Sequence, residues 1–240
     1  MKYPPIPIVE CGEPLVPIPP DRFAFVTPHP YVKAGADYKG QSPYFLRQRV
    51  LEALIQAQDN LQRLHPQWQI QIFDAYRPVE VQQHMVDYTF AEVLRDRGLT
   101  PDTLSSQREA EIREQVYEIW AVPSFDPAEP PPHSTGGAVD VTLADGSGNP
   151  VEMGSDIDEL SPRSHPDYYA NSTQTPDRQY NAHRQLLKTV MVEAGFCRHP
   201  REWWHFCLGD RMWAWLSETP NARYGRWETP ARSQFDRQRH

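Results

Sequence analysis

The chain has 240 residues, 39% of them hydrophobic and 23% charged, so a packed core is within reach and disorder is not the default. A formal net charge of −8 argues against nucleic acid as a main partner, because phosphate binding needs a basic face. No stretch approaches the length of a transmembrane span, and prolines interrupt the N-terminal MKYPPIPIVECGEPLVPIPP where a signal peptide needs an unbroken apolar run.

The expectation is therefore a soluble, cytoplasmic protein without a membrane partner. Cys11, Cys197 and Cys207 form no close-spaced pair and leave at least one thiol unpaired, which fits a reducing compartment. The 25 prolines predict long, stiff connections around a modest regular core.

Residues 1–42 read as an extended N-terminal arm with a short strand near Phe23–Val26. Ser42-Pro43 resembles a helix start, with Leu46, Val50, Leu54, Ala57, Leu61 and Leu64 on one buried face. Trp68, Ile70 and Ile72 alternate with glutamines, which predicts a half-buried strand ending in Asp74-Ala75-Tyr76-Arg77-Pro78. Val81, Met85, Tyr88 and Leu94 predict a second helix stopped by Gly98. A third is expected from Ser106, where Glu109 would complete a capping box.

A proline-rich loop, residues 122–132, delivers the chain to His133, and Ala138–Leu143 reads as a strand. Residues 155–176 look irregular. A helix is expected over Ala182–Ala194, an aromatic strand over Glu202–Leu208, and a last helix over Met212–Ser217. Residues 219–240 read as an arginine-bearing tail with little apolar content. There is no internal repeat and no clear linker. The expected architecture is one α+β domain over residues 1–240, a small antiparallel sheet flanked by helices and long proline-rich loops.

Two segments carry the chemistry. His133-Ser-Thr-Gly-Gly-Ala-Val-Asp140 supplies an imidazole and a carboxylate, and Glu202-Trp-Trp-His205 supplies an acid and an imidazole. Two histidines and one carboxylate leave a tetrahedral zinc with an open fourth position, the catalytic rather than the structural pattern. The remaining acid, Glu202, can then take a proton from water. Taken singly, His133 would as readily cap a turn, and Asp140 would as readily pair with a surface base. Their joint occurrence with Glu202 and His205 favours the metal site.

One tension stands: residues three apart point to opposite sides of a strand, so Glu202 and His205 share a site only if the chain bends at Glu202. Arg77, at a strand end, either holds a developing oxyanion or simply pairs with Asp74. His84 and His183 read as structural or exposed, His199 as a loop residue, and Cys207 as a buried thiol. Trp203, Trp204, Trp213 and Trp215 read as core around the metal.

From about Tyr38 to Leu216 the chain resembles the zinc D-alanyl-D-alanine dipeptidases of the VanX type. The likeness lies in His-x-x-Gly-x-Ala-x-Asp, Glu-x-Trp-His, Asp-x-Tyr-Arg-Pro, and Met153-Gly-Ser-Asp-Ile-Asp158 followed by Ser164-His165. The zinc motifs are shared with cell-wall D,D-carboxypeptidases and with hedgehog-type domains; the other two segments point more narrowly to the dipeptidases. The resemblance implies one zinc ion per chain held by His133, Asp140 and His205, Glu202 as general base, Arg77 as transition-state stabiliser, and a small dipeptide as substrate.

Asp158 matches a family acid that meets the substrate ammonium, and His165 would help to position its loop. Where family members often have serine two positions before the first zinc histidine, this chain has Pro131, so a hydroxyl contact with substrate is missing. Competing expectations are a D,D-carboxypeptidase or endopeptidase on longer wall peptides, and a zinc-containing binding module. The presence of both Glu202 and Arg77 argues for catalysis. The sequence sets no oligomeric state.

Overall fold

A computed structural model describes residues 4–227. Five strands form the main sheet: β2 (Ala24–Phe25), β4 (Gln69–Asp74), β5 (Ala138–Ala144), β7 (His205–Cys207) and β6 (Cys197–Arg198), in the spatial order β2-β4-β5-β7-β6. The pairings are antiparallel except at the edge, where β2 runs parallel to β4. A separate two-stranded ribbon joins β1 (Leu15–Pro17) to β3 (Phe45–Arg47). Among the described residues, six α-helices complete the fold: α1 (Pro30–Lys33), α2 (Gln48–Leu64), α3 (Val79–Asp96), α4 (Ser106–Val116), α5 (Thr175–Glu193) and α6 (Arg211–Leu216). The architecture is α+β, and no described helix is long and apolar enough to cross a membrane.

Strand alternation divides the sheet into a core face and a site face. Ile70 and Ile72 of β4, Val139, Val141 and Leu143 of β5, and Phe206 of β7 are fully buried in the main core. Val50, Leu54, Ala57 and Leu61 of α2 and Leu187, Val190 and Met191 of α5 cover them. A second core joins α3 and α4 through Val81, Met85, Phe90, Ile112 and Val116, and takes in Tyr31, Tyr38 and Trp120.

Several boundaries differ from the sequence reading, each for a local reason. Helix α2 begins at Gln48, not at Ser42-Pro43, because residues 45–47 are spent pairing with β1. Ser42 Oγ instead accepts from the Tyr44 amide at 3.2 Å, closing a turn. Helix α4 is capped by Ser105, whose hydroxyl accepts from the Arg108 amide, so the cap lies one residue before Ser106. Glu109 completes no box there and pairs with Arg113 at 2.9 Å.

Helix α5 begins at Thr175 rather than Ala182. Pro176 and Asp177 suit a first turn, and residues 175–183 include no buried side chain, so apolar periodicity is silent over them. The segment read as an extended arm carries β1, β2 and α1 and buries Ile18, Phe23, Tyr31 and Tyr38. The start of the expected tail is docked as well: Ala222 and Tyr224 are fully buried, and the Trp227 amide donates to the Ser134 carbonyl. Residues 228–240 of that expected tail lie outside the described residues.

Candidate active site

The site grows from the sheet. Asp140 and His205 are direct partners across the β5–β7 ladder, on the face opposite Val139 and Phe206. His205 Nδ1 lies 2.9 Å from Asp140 Oδ1. His133 enters from outside the sheet on a 3₁₀ turn, Pro132–Thr135, which ends on Gly136 at φ 71°, a left-handed conformation suited to glycine. A side chain at Gly136 would also run into Leu15.

His133 Nδ1 contacts the Ala75 carbonyl at 2.7 Å. As donor there, the neutral imidazole keeps its lone pair on Nε2. That atom sits 3.2 Å from Asp140 Oδ2 and 3.1 Å from His205 Nδ1. Ligand atoms of the three buried residues all lie within 4.8 Å of one another. Two imidazole nitrogens this close favour a positive charge between them, and two nitrogens with a carboxylate oxygen are a donor set that zinc accepts. The residues fit a metal ion.

Asp74 lies beneath this group because of a register shift. Ile72 pairs with Val141, but the next pair is Asp74 with Asp140, so Phe73 is bulged out of the ladder. A bulge re-aims the side chain that follows it. The fully buried Asp74 carboxylate accepts from Arg77 Nε at 2.8 Å and from Tyr38 OH at 3.2 Å, and it meets His29 Nε2 at 3.1 Å. Burial would raise this carboxyl, but Arg77 first, then His29 and His133, outweigh it and hold it below the usual range.

Arg77 does pair with Asp74, and it also lines the cleft. Its buried guanidinium donates from Nη2 to Tyr31 OH at 3.0 Å and to Asp140 Oδ2 at 3.1 Å, and from Nη1 to Gln82 at 2.7 Å. The Tyr31 and Trp120 rings flank it at 4.7 and 5.0 Å.

Glu202 precedes β7 rather than belonging to it, since the strand spans only His205–Cys207. Bends at Trp203 and Trp204 bring its carboxylate to the same side as His205, with Oε2 3.9 Å from His205 Nδ1. Burial, then the Asp140 and Asp158 carboxylates, push the Glu202 carboxyl well above its ordinary value. Asp158 sits at φ 62° and accepts from Tyr31 OH at 2.8 Å. Burial and the Asp140 charge, against Arg77, raise its carboxyl to about 7.

All six residues singled out from sequence line one cleft of about 580 Å³. Its remaining wall comes from Gln82, the 117–124 segment, residues 129–132, and His199, Arg201, Trp204, Arg211 and Met212.

The model of the D-ala-D-ala dipeptidase family matches residues 25–222, a span that holds every one of these six residues. A D-alanyl-D-alanine dipeptidase of Synechocystis sp. is 53% identical over 216 residues, covering 88% of this chain and 87% of that protein. The chain belongs to the D-ala-D-ala dipeptidase family. Dipeptidases of the same name from Escherichia coli K12 and Enterococcus faecium match shorter stretches. They are 43% identical over 76 residues and 38% over 79, each covering 32% of this chain and 37% of the relative.

Membership makes the chain a peptidase, and several side chains at its site went unremarked in the sequence. His29, Tyr31 and Tyr38 come from the expected arm, and Gln82 from α3. Around His29, Tyr31 and Tyr38 no periodic signal marks the chain, and the periodicity of Val81 and Met85 reports only the apolar face of the helix that carries Gln82. His199, read as a loop residue, lines the cleft with Nδ1 3.5 Å from Glu202 Oε1. Burial holds its imidazole well below the ordinary value, so it stays neutral.

Arg184 of α5 holds the Asp158 segment through the carbonyls of Met153, Arg163 and His165 at 2.7, 2.9 and 3.0 Å. The His165 ring itself is exposed; its backbone does the work. His84 and His183 bond carbonyls away from the cleft, at Ala34 and Glu152, and Cys207 is a buried thiol. Trp203 is buried in the main core, Trp204 is buried with a face on the cleft, and Trp213 and Trp215 are half-buried.

Proposed function

We propose that this protein hydrolyses D-alanyl-D-alanine to two molecules of D-alanine in the cytoplasm, with one zinc ion per chain and residues 1–240 acting as one domain. The observation that carries this reading is the convergence of His133, Asp140 and His205 in a cleft that also holds Glu202, Arg77 and Asp158. A purely structural metal would need none of the last three.

Zinc in this position supplies a Lewis acid that polarises the scissile carbonyl and lowers the pKa of water from about 16 to roughly 7. Glu202 takes the proton of the attacking water on a carboxylate oxygen and passes it to the leaving amine nitrogen. Its raised basicity suits both transfers. Arg77 is clamped before substrate arrives, so its N–H groups meet the developing oxyanion without reorganisation. Asp158, which accepts from the Tyr31 hydroxyl, receives the substrate ammonium. Requiring a free amine close to the metal favours a dipeptide over longer wall peptides. Pro131 offers no hydroxyl to the substrate.

The test is hydrolysis of D-Ala-D-Ala by zinc-loaded protein, beside L-Ala-L-Ala and a pentapeptide ending in D-Ala-D-Ala. The expected result is cleavage of D-Ala-D-Ala alone, abolished in a Glu202→Ala variant that still holds zinc. Cleavage of the pentapeptide would move the assignment to a carboxypeptidase, and no cleavage despite bound zinc would remove the catalytic reading.

A further inference from the structure

We infer that Gln82 is a positioning residue that sets the orientation of Arg77 and ties it to the wall of the cleft. The inference rests on the proposed role of Arg77 at the oxyanion. Gln82 lies in the first turns of α3, its amide closing on the Pro78 carbonyl at 3.0 Å, and its side chain is 1% exposed. Its Oε1 accepts from Arg77 Nη1 at 2.7 Å, and its Nε2 donates to the Ala121 carbonyl at 2.7 Å. Only one orientation of the amide satisfies both contacts, because a guanidinium can only donate and a carbonyl can only accept.

The division of Arg77's donors shows what this bridge does. Nε and Nη2 are taken by Asp74, Tyr31 and Asp140. Among the described residues, Nη1 is held by Gln82 alone. An Nη1 group carries two hydrogens, so one remains to be offered to a substrate oxygen, and Gln82 decides where it points. The Asp74 contacts anchor one edge of the planar guanidinium, and Gln82 stops the other edge from swinging. Its second hydrogen bond holds Ala121 in the segment that walls the cleft. A buried amide with both ends used in this way fixes geometry at two places at once.

Two variants separate these ends. Gln82→Met keeps the length of the side chain and removes both hydrogen bonds. Gln82→Glu keeps an acceptor for Nη1 and removes the donor to Ala121. Steady-state hydrolysis of D-Ala-D-Ala, zinc content and thermal melting are measured for each, and Gln82→Met is also placed in an Arg77→Lys background.

Gln82→Met should lower kcat about 10- to 100-fold, the usual size of a loss from a misplaced catalytic group, and raise KM as Gln82→Glu does, with zinc content unchanged. Gln82→Glu should keep a kcat close to that of the parent and raise KM. In the Arg77→Lys background, Gln82→Met should cost no further kcat, because a residue acting through Arg77 has nothing left to orient.

An unchanged kcat in Gln82→Met, or losses that multiply in the double variant, would overturn the inference. Should Gln82→Met fail to fold, a kcat loss in folded Gln82→Glu as deep as that of Arg77→Lys would overturn it too. An inactive parent, or an Arg77→Lys variant as active as the parent, would instead sink the reading of Arg77 itself.

Discussion

Asp140 and His205 are cross-strand partners, one on β5 and one on β7, with His205 Nδ1 2.9 Å from Asp140 Oδ1. A single step of an antiparallel ladder therefore fixes two of the three candidate metal ligands. Because side chains alternate, a slip of one residue in either strand would turn its ligand into the core. The fully buried Val139–Phe206 pair on the opposite face makes such a slip costly, so hydrophobic packing enforces the geometry of the candidate metal site.

Chelation should abolish hydrolysis, and added zinc should restore it. The same treatment should lower the melting temperature, since a ligand bound only by the folded state stabilises it by about 2.7 kcal/mol at a hundredfold excess over Kd. Calorimetry with and without chelator reads this directly; an unchanged melting temperature would mean that no metal had been held.

Glu202→Gln keeps the shape of the side chain and removes the base. Activity should fall by about 10²- to 10⁴-fold, the range of general acid–base catalysis, while KM and zinc content stay near those of the parent. Kinetics paired with metal analysis make the check.

For Asp158 the sign of the pH effect follows from a carboxyl raised to about 7. The ionised form that attracts an ammonium is present above that value and is lost as the pH falls through it. KM should therefore rise on acidification through neutrality. Asp158→Asn should show a high KM throughout and no such slope. Zinc bound beside Asp140 would offset some of the repulsion and move the inflection lower, without changing its direction.

Asp74→Ala would leave His29 buried beside no carboxylate and Arg77 with Asp140 alone; breaking a buried pair in this way typically costs about 3–5 kcal/mol. In the parent, a carboxyl held below its ordinary value stabilises the fold at neutral pH, and this stabilisation is lost as the pH falls below about 4. Urea unfolding at pH 7 and at pH 3 should show a large difference between parent and variant at the higher pH and a smaller one at the lower.

Arg184 acts at a distance from the chemistry. Arg184→Leu frees the carbonyls of Met153, Arg163 and His165 and so loosens the segment bearing Asp158. KM should rise about tenfold, the equivalent of 1.4 kcal/mol, with kcat little changed. Hydrogen exchange should quicken across residues 153–165 and not in β5 or β7; uniform quickening would mark a general loss of stability instead.

Much of this molecule is legible in its sequence because the signals are local. Alternation in Ile70–Ile72 and in Val139–Leu143, and the three–four spacing of Val50, Leu54, Ala57 and Leu61, report burial on one face, and those residues are the core. The candidate ligands and the base stand in two short motifs whose residue types already select the chemistry. The N-terminal ends of α2 and α5 were not legible, because β1 pairing consumes residues 45–47 and the first turns of α5 bury few apolar groups.

What the chain alone determined is the chemistry on offer: two imidazoles, three acids and a guanidinium at characteristic spacings. Tertiary structure decided how those groups face one another. The Phe73 bulge sets Asp74 under Arg77, and the bends at Trp203 and Trp204 carry Glu202 to the side of His205. The packing of the N-terminal segment delivers His29, Tyr31 and Tyr38, and Gln82 closes the ring around the guanidinium. Periodicity and motifs are properties of neighbouring residues, whereas these contacts satisfy buried polar groups on segments far apart in the chain. Such closure is imposed by the cost of leaving a buried donor or acceptor unpaired, and it exists only once the segments have met.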